Sequence, residues 1–245
     1  MRFLVTLFAL VGLAAGAPAL AHAAEPAPPS AASCPLNEDG IPECPKPVLE
    51  LGARTGVALP FGSVASGSQL SDSIDAQIPV QIDLGFRPDP HLFIGAYGSY
   101  GFLLPASGVC QGGSCSGSDV RAGLEAQFHF RPGRRFDPWL GVGTGYEWLH
   151  LASWSPGKVQ DGIDTSTDAN LTLRGWEIVN AQAGLDYALC TGVRVGPFVG
   201  FSIGEFENAS QSYTVRGIEH ASSTDIQQTA LHEWLTLGLR GSFDL

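Results

Sequence analysis

Beyond Ala24 this chain of 245 residues has no apolar run long enough to cross a membrane as a helix. Any membrane segment in the mature chain must therefore be a strand. Charge is also scarce: Asp, Glu, Lys and Arg make up 15% of residues, against 44% hydrophobic. The basic share is the smaller, with 13 Lys and Arg against 24 Asp and Glu, for a net charge of -11. That balance argues against nucleic acid, whose phosphates select basic surfaces. No acidic block is long enough to form a tail, so the negative charge is spread over loops and an interior. No Cys-x-x-Cys pair or clustered His accompanies the cysteines, which argues against zinc. Gly141, Gly143 and Gly145 are spaced Gly-x-Gly-x-Gly with no helix to follow, which does not fit a nucleotide loop. Acidic residues of the polar segments (Asp72, Asp75, Asp161, Asp164, Asp168, Glu207, Glu219 and Asp225) lack calcium-loop spacing and read as hydrated surface. The sequence calls for no cofactor and no metal.

What is present begins with an export signal. Met1 and Arg2 precede an apolar run from Phe3 to Gly16, and Ala21-His22-Ala23 offers a small-x-small cleavage site. Residues 1–23 are thus expected to be a signal peptide, and 24–46, rich in Pro and Ala, an exposed linker. The cysteines suit an oxidising compartment. Cys34 with Cys44, and Cys110 with Cys115, are close enough to close small loops, leaving Cys190 over.

From residue 47 to 245 the pattern has period two. Leu49, Leu51, Ala53, Thr55, Val57 and Leu59 alternate with Glu50, Gly52, Arg54, Gly56 and Ala58. A second strand carries Ile78, Val80, Ile82, Leu84 and Phe86 opposite Gln81, Asp83 and Gly85. Leu92 to Leu104 follows. Val120, Ala122, Leu124, Ala126, Phe128 and Phe130 then oppose Arg121, Glu125, Gln127 and His129. Further strands are expected at Trp139 to Leu151, Trp176 to Leu189, Arg194 to Phe206, and His232 to the end. The connections alternate long and short. Polar segments lie at 62–77, 105–117, 153–168 and between the last two strands; short turns lie at 87–91, 131–137 and 190–193. An all-β, eight-stranded, antiparallel, up-and-down transmembrane barrel has this order, with short turns in the periplasm and long loops outside.

A soluble barrel also alternates, but with its apolar face inward. Here each apolar face is free of Asp, Glu, Lys and Arg, whereas the opposite faces carry Glu50, Arg54, Asp83, Arg121, Glu125, Glu147, Asp186 and Arg240. Lipid imposes that division on an outer wall. Aromatics gather at strand ends: Phe86, Phe128, Phe130, Trp139, Tyr187 and Phe243 at one rim, and Tyr100, Phe102, Tyr146, Trp148 and Trp234 at the other. Two girdles are the membrane-interface pattern. The last strand ends Thr-Leu-Gly-Leu-Arg-Gly-Ser-Phe, which resembles the C-terminal assembly signal of outer-membrane proteins, with Gly238 and Phe243 in its key places. Gly241 departs from the usual hydrophobic residue, and Asp244-Leu245 follow the Phe. Pro-Trp-Leu-Gly-Val-Gly-Thr-Gly-Tyr-Glu-Trp (138–148) and Gln-Ala-Gly-Leu-Asp-Tyr (182–187) are similar to the small outer-membrane barrels of the OmpA and OmpW type. That resemblance implies a Gram-negative outer membrane, with lipids and lipopolysaccharide around the wall and the barrel-assembly machinery as partner. It implies no single activity.

Three roles are open to such a barrel. The first is a structural or interaction scaffold, monomeric, with its lumen plugged by the inward charges. The second is a narrow, porin-like channel or transporter for small or apolar solutes, as the OmpW resemblance suggests. The third is a lipid-modifying enzyme, for which Glu147, His150, Ser153, Ser155 and His232 supply groups near the outer rim. A palmitoyltransferase-like N-terminal amphipathic helix is absent from the pattern. The scaffold is the expected role, without catalytic residues.

Overall fold

The computed structural model describes residues 48–65, 67–106, 109–110, 113–156, 166–190, 192–215 and 218–245. The expected signal peptide, the linker and the Cys34–Cys44 pair lie outside these residues. The strands are β1 (Val48–Ala65), β2 (Ser68–Gln69), β3 (Ile74–Asp89), β4 (Leu92–Pro105), β5 (Ser114–His129), β6 (Phe136–Ser155), β7 (Thr167–Cys190), β8 (Val193–Val215), β9 (Ile218–Asp225) and β10 (Leu231–Asp244). Each long strand pairs antiparallel with the next, and β10 pairs with both β8 and β1. Eight strands therefore close a ring: β1, β3, β4, β5, β6, β7, β8 and β10. Closure leaves no open edge along the wall, the condition for a sheet in hydrocarbon. β2 is a short addition to β1, and β9 pairs with β8 beyond the ring.

The wall is turned as a membrane requires. Val80, Ile82, Leu84, Leu124, Leu140, Val142, Leu237 and Leu239 are exposed on the outside. Glu50, Arg54, Asp83, Glu125, Glu147, Asp186 and Arg240, with Arg121 close behind, are buried inside. In water such a molecule would display its apolar residues and bury its charges, which inverts the logic of a soluble core. Lipid makes the inversion favourable.

The strands run further than the hydrophobic alternation shows. β7 has 24 residues and β8 has 23, whereas crossing the hydrocarbon takes about 9–11 tilted residues. The polar segment expected at 153–168 is strand at both ends. β8 continues to Val215 and folds back as β9 where the sequence suggests a long loop. Segment 62–77 likewise is mostly ordered structure: the end of β1, β2, a 3-10 turn at Leu70–Asp72 and the start of β3. Past the bilayer both faces of a strand are polar, so main-chain pairing persists while the period-two signal disappears.

The aromatic girdles need two corrections. Phe86, Phe128, Phe130 and Phe243 are outward at the short-turn rim, and Phe136 meets Tyr187 there with ring centroids 5.2 Å apart. At the opposite rim Tyr146 packs between Trp148 and Trp176, at 4.8 and 5.2 Å. Trp139 and Trp234, however, are each 1% exposed and point into the lumen. Their registers explain it. Trp139 shares inward parity with Gly141 and Gly143, and Trp234 lies between His232 and Thr236 on the inner face of β10.

Candidate functional site

The lumen is the place where chemistry concentrates, and it is built in tiers. Nearest the short turns, Glu50 is the hub. It accepts from Arg87 Nε, from Arg194 at 2.9 Å and from Arg240 at 2.9 Å. Arg240 also reaches Asp186 at 3.4 Å, and Trp139 Nε1 donates to Asp186 at 3.1 Å. The Arg240 guanidinium lies 4.6 Å from the Trp139 ring, so one indole serves both members of the pair. Beside this tier, His129 Nδ1 pairs with Asp137 at 2.8 Å and its Nε2 meets Arg87 at 3.0 Å.

Arg54 centres the next tier. It donates to Asp83 at 2.8 Å, to both oxygens of Glu125 at 2.9 and 3.0 Å, and to Gln182. Gln127 supports Glu125 at 2.8 Å. The guanidinium sits between the rings of Trp139 and Phe198, 5.8 Å from each.

Arg121 centres the third. It engages Asp119 (2.8 Å), Glu147 (3.2 Å), Glu177 (3.3 Å) and the Ser202 hydroxyl (3.1 Å), and lies 5.2 Å from the Trp234 ring. His232 Nε2 pairs with Glu147 at 2.9 Å and its ring stacks on Phe206 at 4.0 Å. Tyr97 donates to Glu177. Ions removed from water must be compensated by partners or they cost several kcal/mol each. Arg54, Arg121 and Arg240 each meet at least one carboxylate.

Above Arg121 the lumen turns apolar. Ala58, Leu70, Ile74, Leu103, Leu149, Leu173, Phe206 and Trp234 form one buried cluster, joined by the half-buried Leu151 and Leu171. Leu70 and Ile74 come from the segment expected to be a polar loop; they fold back into the barrel mouth. Between the Arg54 and Arg121 tiers lies a void of about 40 Å³, room for about one or two waters. Beyond the apolar cluster, toward the loops, is a more open hollow of about 260 Å³, walled partly by Pro105, Val109, Leu151, Leu171 and Tyr213.

Of the inward residues expected from sequence, Glu50, Arg54, Asp83, Glu125, Asp186 and Arg240 share the two lower tiers, and Arg121 with Glu147 the upper one. Arg87, Asp119, Asp137, Glu177, Arg194 and Gln182 join them without being marked by the sequence pattern. Arg87 continues the parity of Asp83 but falls in an expected turn, and Asp119 stands one step before the expected start of its strand. Glu177 is hidden by a bulge. Between Glu177 and Val179 the register on β8 shifts, so Gly175 and Glu177 face in on odd numbers, and Gln182 and Asp186 on even ones. No fixed alternation along β7 could place both.

Among the groups considered for catalysis, Glu147 and His232 meet. His150 is on the outer wall, bonded to Thr172 at 3.1 Å, and Ser153 and Ser155 lie further along β6 toward the loops. Gly238 faces inward on β10, where an added Cβ would stand 2.2 Å from Thr55 O, and Phe243 is exposed at the short-turn rim. Cys110 and Cys115 form a disulfide, and Cys190 is exposed.

The tight fit gives a first expectation. A Cβ on Gly184 would come within 2.6 Å of the Trp139 indole, which Asp186 and Arg240 hold in place. Gly184→Ala is expected to destabilise the barrel by about 1–3 kcal/mol through overpacking, read as a lower urea midpoint in lipid vesicles. An unchanged midpoint would mean that Trp139 is free to move.

No protein-family model matches the chain, and no curated protein matches it in sequence. Solved structures do match. A major outer membrane protein from Thermus thermophilus superposes with a TM-score of 0.52 at 12% identity, over 81% of this chain and 99% of that one. Neisserial surface protein A gives 0.41 at 14% identity, over 79% and 95%. The outer membrane protein AlkL gives 0.39 at 15%, over 91% and 98%. The fold is that of the small outer-membrane β-barrels.

Proposed function

We propose that this protein is a non-conducting barrel of the bacterial outer membrane, a lipid-embedded scaffold that presents polar strands and loops at the cell surface. The observation that carries the reading is the double closure of the lumen. Ion-paired tiers centred on Glu50, Arg54 and Arg121 fill its lower part, and the cluster of Leu70, Ile74, Leu103, Leu149, Leu173, Phe206 and Trp234 seals the upper. An eight-stranded ring has an interior that side chains can just fill. What extends beyond the seal is the surface end of β6, β7, β8 and β9, which offers area for contact. Glu147 and His232 serve the lumen as a buried hydrogen-bonded bridge in this reading, not as an acid–base pair.

Passage of apolar solutes is the second reading, favoured by the hollow near Leu151 and Leu171 above the seal. Planar-bilayer recording tests the closed lumen, and uptake of an apolar solute into vesicles holding the folded barrel tests the second reading. The purified barrel is expected to give no steady, discrete openings. Reproducible unit conductance from the folded form would overturn the closed lumen.

A further inference from the structure

The short turn between β5 and β6 reads Arg131-Pro132-Gly133-Arg134-Arg135. It gathers three of the chain's 13 basic residues at one point of a molecule whose net charge is -11. None of the three guanidiniums makes an ion pair among the described residues, although Arg54, Arg87, Arg121, Arg194 and Arg240 are all paired. All three side chains are exposed. Three like charges this close repel one another, and an anion held among them would relieve that repulsion.

The turn is also held by hydrogen bonds. Gly133 takes φ +76°, Arg134 N donates to Arg131 O at 3.1 Å, and Arg131 N donates to the Asp137 carboxylate at 2.9 Å. Arg135 O accepts from Ala188 N at 3.0 Å. Arg135 is then drawn to the outer wall. Its Nε donates to the Tyr187 hydroxyl at 2.7 Å, and its guanidinium lies 5.0 Å from that ring. Tyr187 packs on Phe136, which is 54% exposed on the lipid face. Together Phe130, Arg131, Pro132, Arg134, Arg135 and Phe136 border an open hollow of about 620 Å³ on the side of the barrel. Three guanidiniums, the His91 ring and two exposed phenyl rings share its lining.

We infer that this hollow binds a phospholipid of the periplasmic leaflet, its phosphate held by Arg131, Arg134 and Arg135 and its acyl chains lying on Phe130 and Phe136. The inference rests on the membrane orientation of the proposed scaffold. Lipid, in preference to a soluble anion, follows from position. The cations stand at the lateral rim, one of them fixed on an outward tyrosine, with exposed apolar rings directly adjoining. A soluble phosphate would have no use for those rings. Guanidinium forks suit phosphate oxygens, and anionic headgroups gain most from three positive charges.

Native mass spectrometry of the full folded chain, released from detergent with added phosphatidylglycerol, tests this. The unaltered protein is expected to retain one lipid. The combined variant Arg131→Gln/Arg134→Gln/Arg135→Gln is expected to bind it about a hundredfold more weakly, at roughly fivefold per cation near an anionic surface. Arg174→Gln, an exposed arginine near the other end of the wall, should bind as the parent does. Equal retention by the triple variant would overturn the site. So would full displacement of the lipid by equimolar inorganic phosphate, which would mark a soluble-anion site. Arg134→Gln alone, which removes no side-chain bond or ion pair among the described residues, is expected to weaken binding about fivefold and serves if the triple variant assembles poorly. Heat-modifiable gel migration, run in parallel, reports on the barrel itself, so a failed scaffold and a failed lipid site give different results.

Discussion

Replacing Arg54 by methionine lowers the unfolding free energy by about 3–5 kcal/mol, the cost of removing one member of a buried charged network. Arg54 is 4% exposed and holds two carboxylates at once, Asp83 and Glu125. Methionine fills similar volume, so the loss is electrostatic and not a cavity. The two carboxylates left behind have no replacement cation in their own tier; Arg240, in the tier below, is already committed to Glu50 and Asp186. They must take up protons or draw water into the lumen. Urea unfolding in lipid vesicles measures the loss. The triple variant Arg54→Met/Asp83→Asn/Glu125→Gln supplies the control, because removing the whole charged set together leaves no uncompensated ion. It is expected to recover most of the stability. If Arg54→Met alone costs less than about 1 kcal/mol, the range of exposed pairs, then water already reaches this tier and the closed lumen is wrong.

The wall of this barrel is readable in the sequence because lipid enforces a simple rule on it. One face of each strand is apolar and free of charge, and the alternation of Leu49 to Leu59 or Ile78 to Phe86 displays that rule without help from the fold. The inward charges Glu50, Arg54, Asp83 and Glu125 follow as the complement. Which charge meets which does not follow. Glu50 and Arg240 are 190 positions apart and meet only because β1 closes against β10. Two kinds of residue are misplaced by sequence reasoning for physical reasons. Trp139 and Trp234 resemble interfacial aromatics by type, yet inside a charged lumen a large ring covers a guanidinium and excludes water. Leu70 and Ile74 sit among Ser, Gln and Asp, and no periodicity marks them; their burial depends on the chain turning back over the mouth. The bulge at Glu177 hides a third group by reversing parity in mid-strand. The triple-arginine turn is visible as composition, but its meaning needs Tyr187, which lies 52 positions from Arg135 and is brought alongside it by the pairing of β6 with β7.

Leu237→Arg separates a membrane wall from a water-facing one more sharply than any interior change. Leu237 is 59% exposed, near the middle of β10, between Val57 on β1 and Val199 on β8, which are 49% and 40% exposed. In hydrocarbon an arginine at mid-depth of such a wall costs about 2–4 kcal/mol, falling to about 0–1 near the interface. In water the same change would replace an exposed leucine by a solvated cation and cost almost nothing. Leu189→Arg provides the depth control, since Leu189 is also 59% exposed but stands at the short-turn end of β7, next to Cys190. The expected order of folded yield in vesicles is therefore the unaltered chain, then Leu189→Arg close behind it, then Leu237→Arg far below. Ser242→Ala, on the inner face, loses one bond from Arg194 Nε at 3.2 Å, roughly 1 kcal/mol, while Arg194 keeps Glu50 and Asp244. It should assemble normally. Equal behaviour of the two Leu→Arg variants would remove the depth dependence on which the membrane reading stands, whatever the interior does.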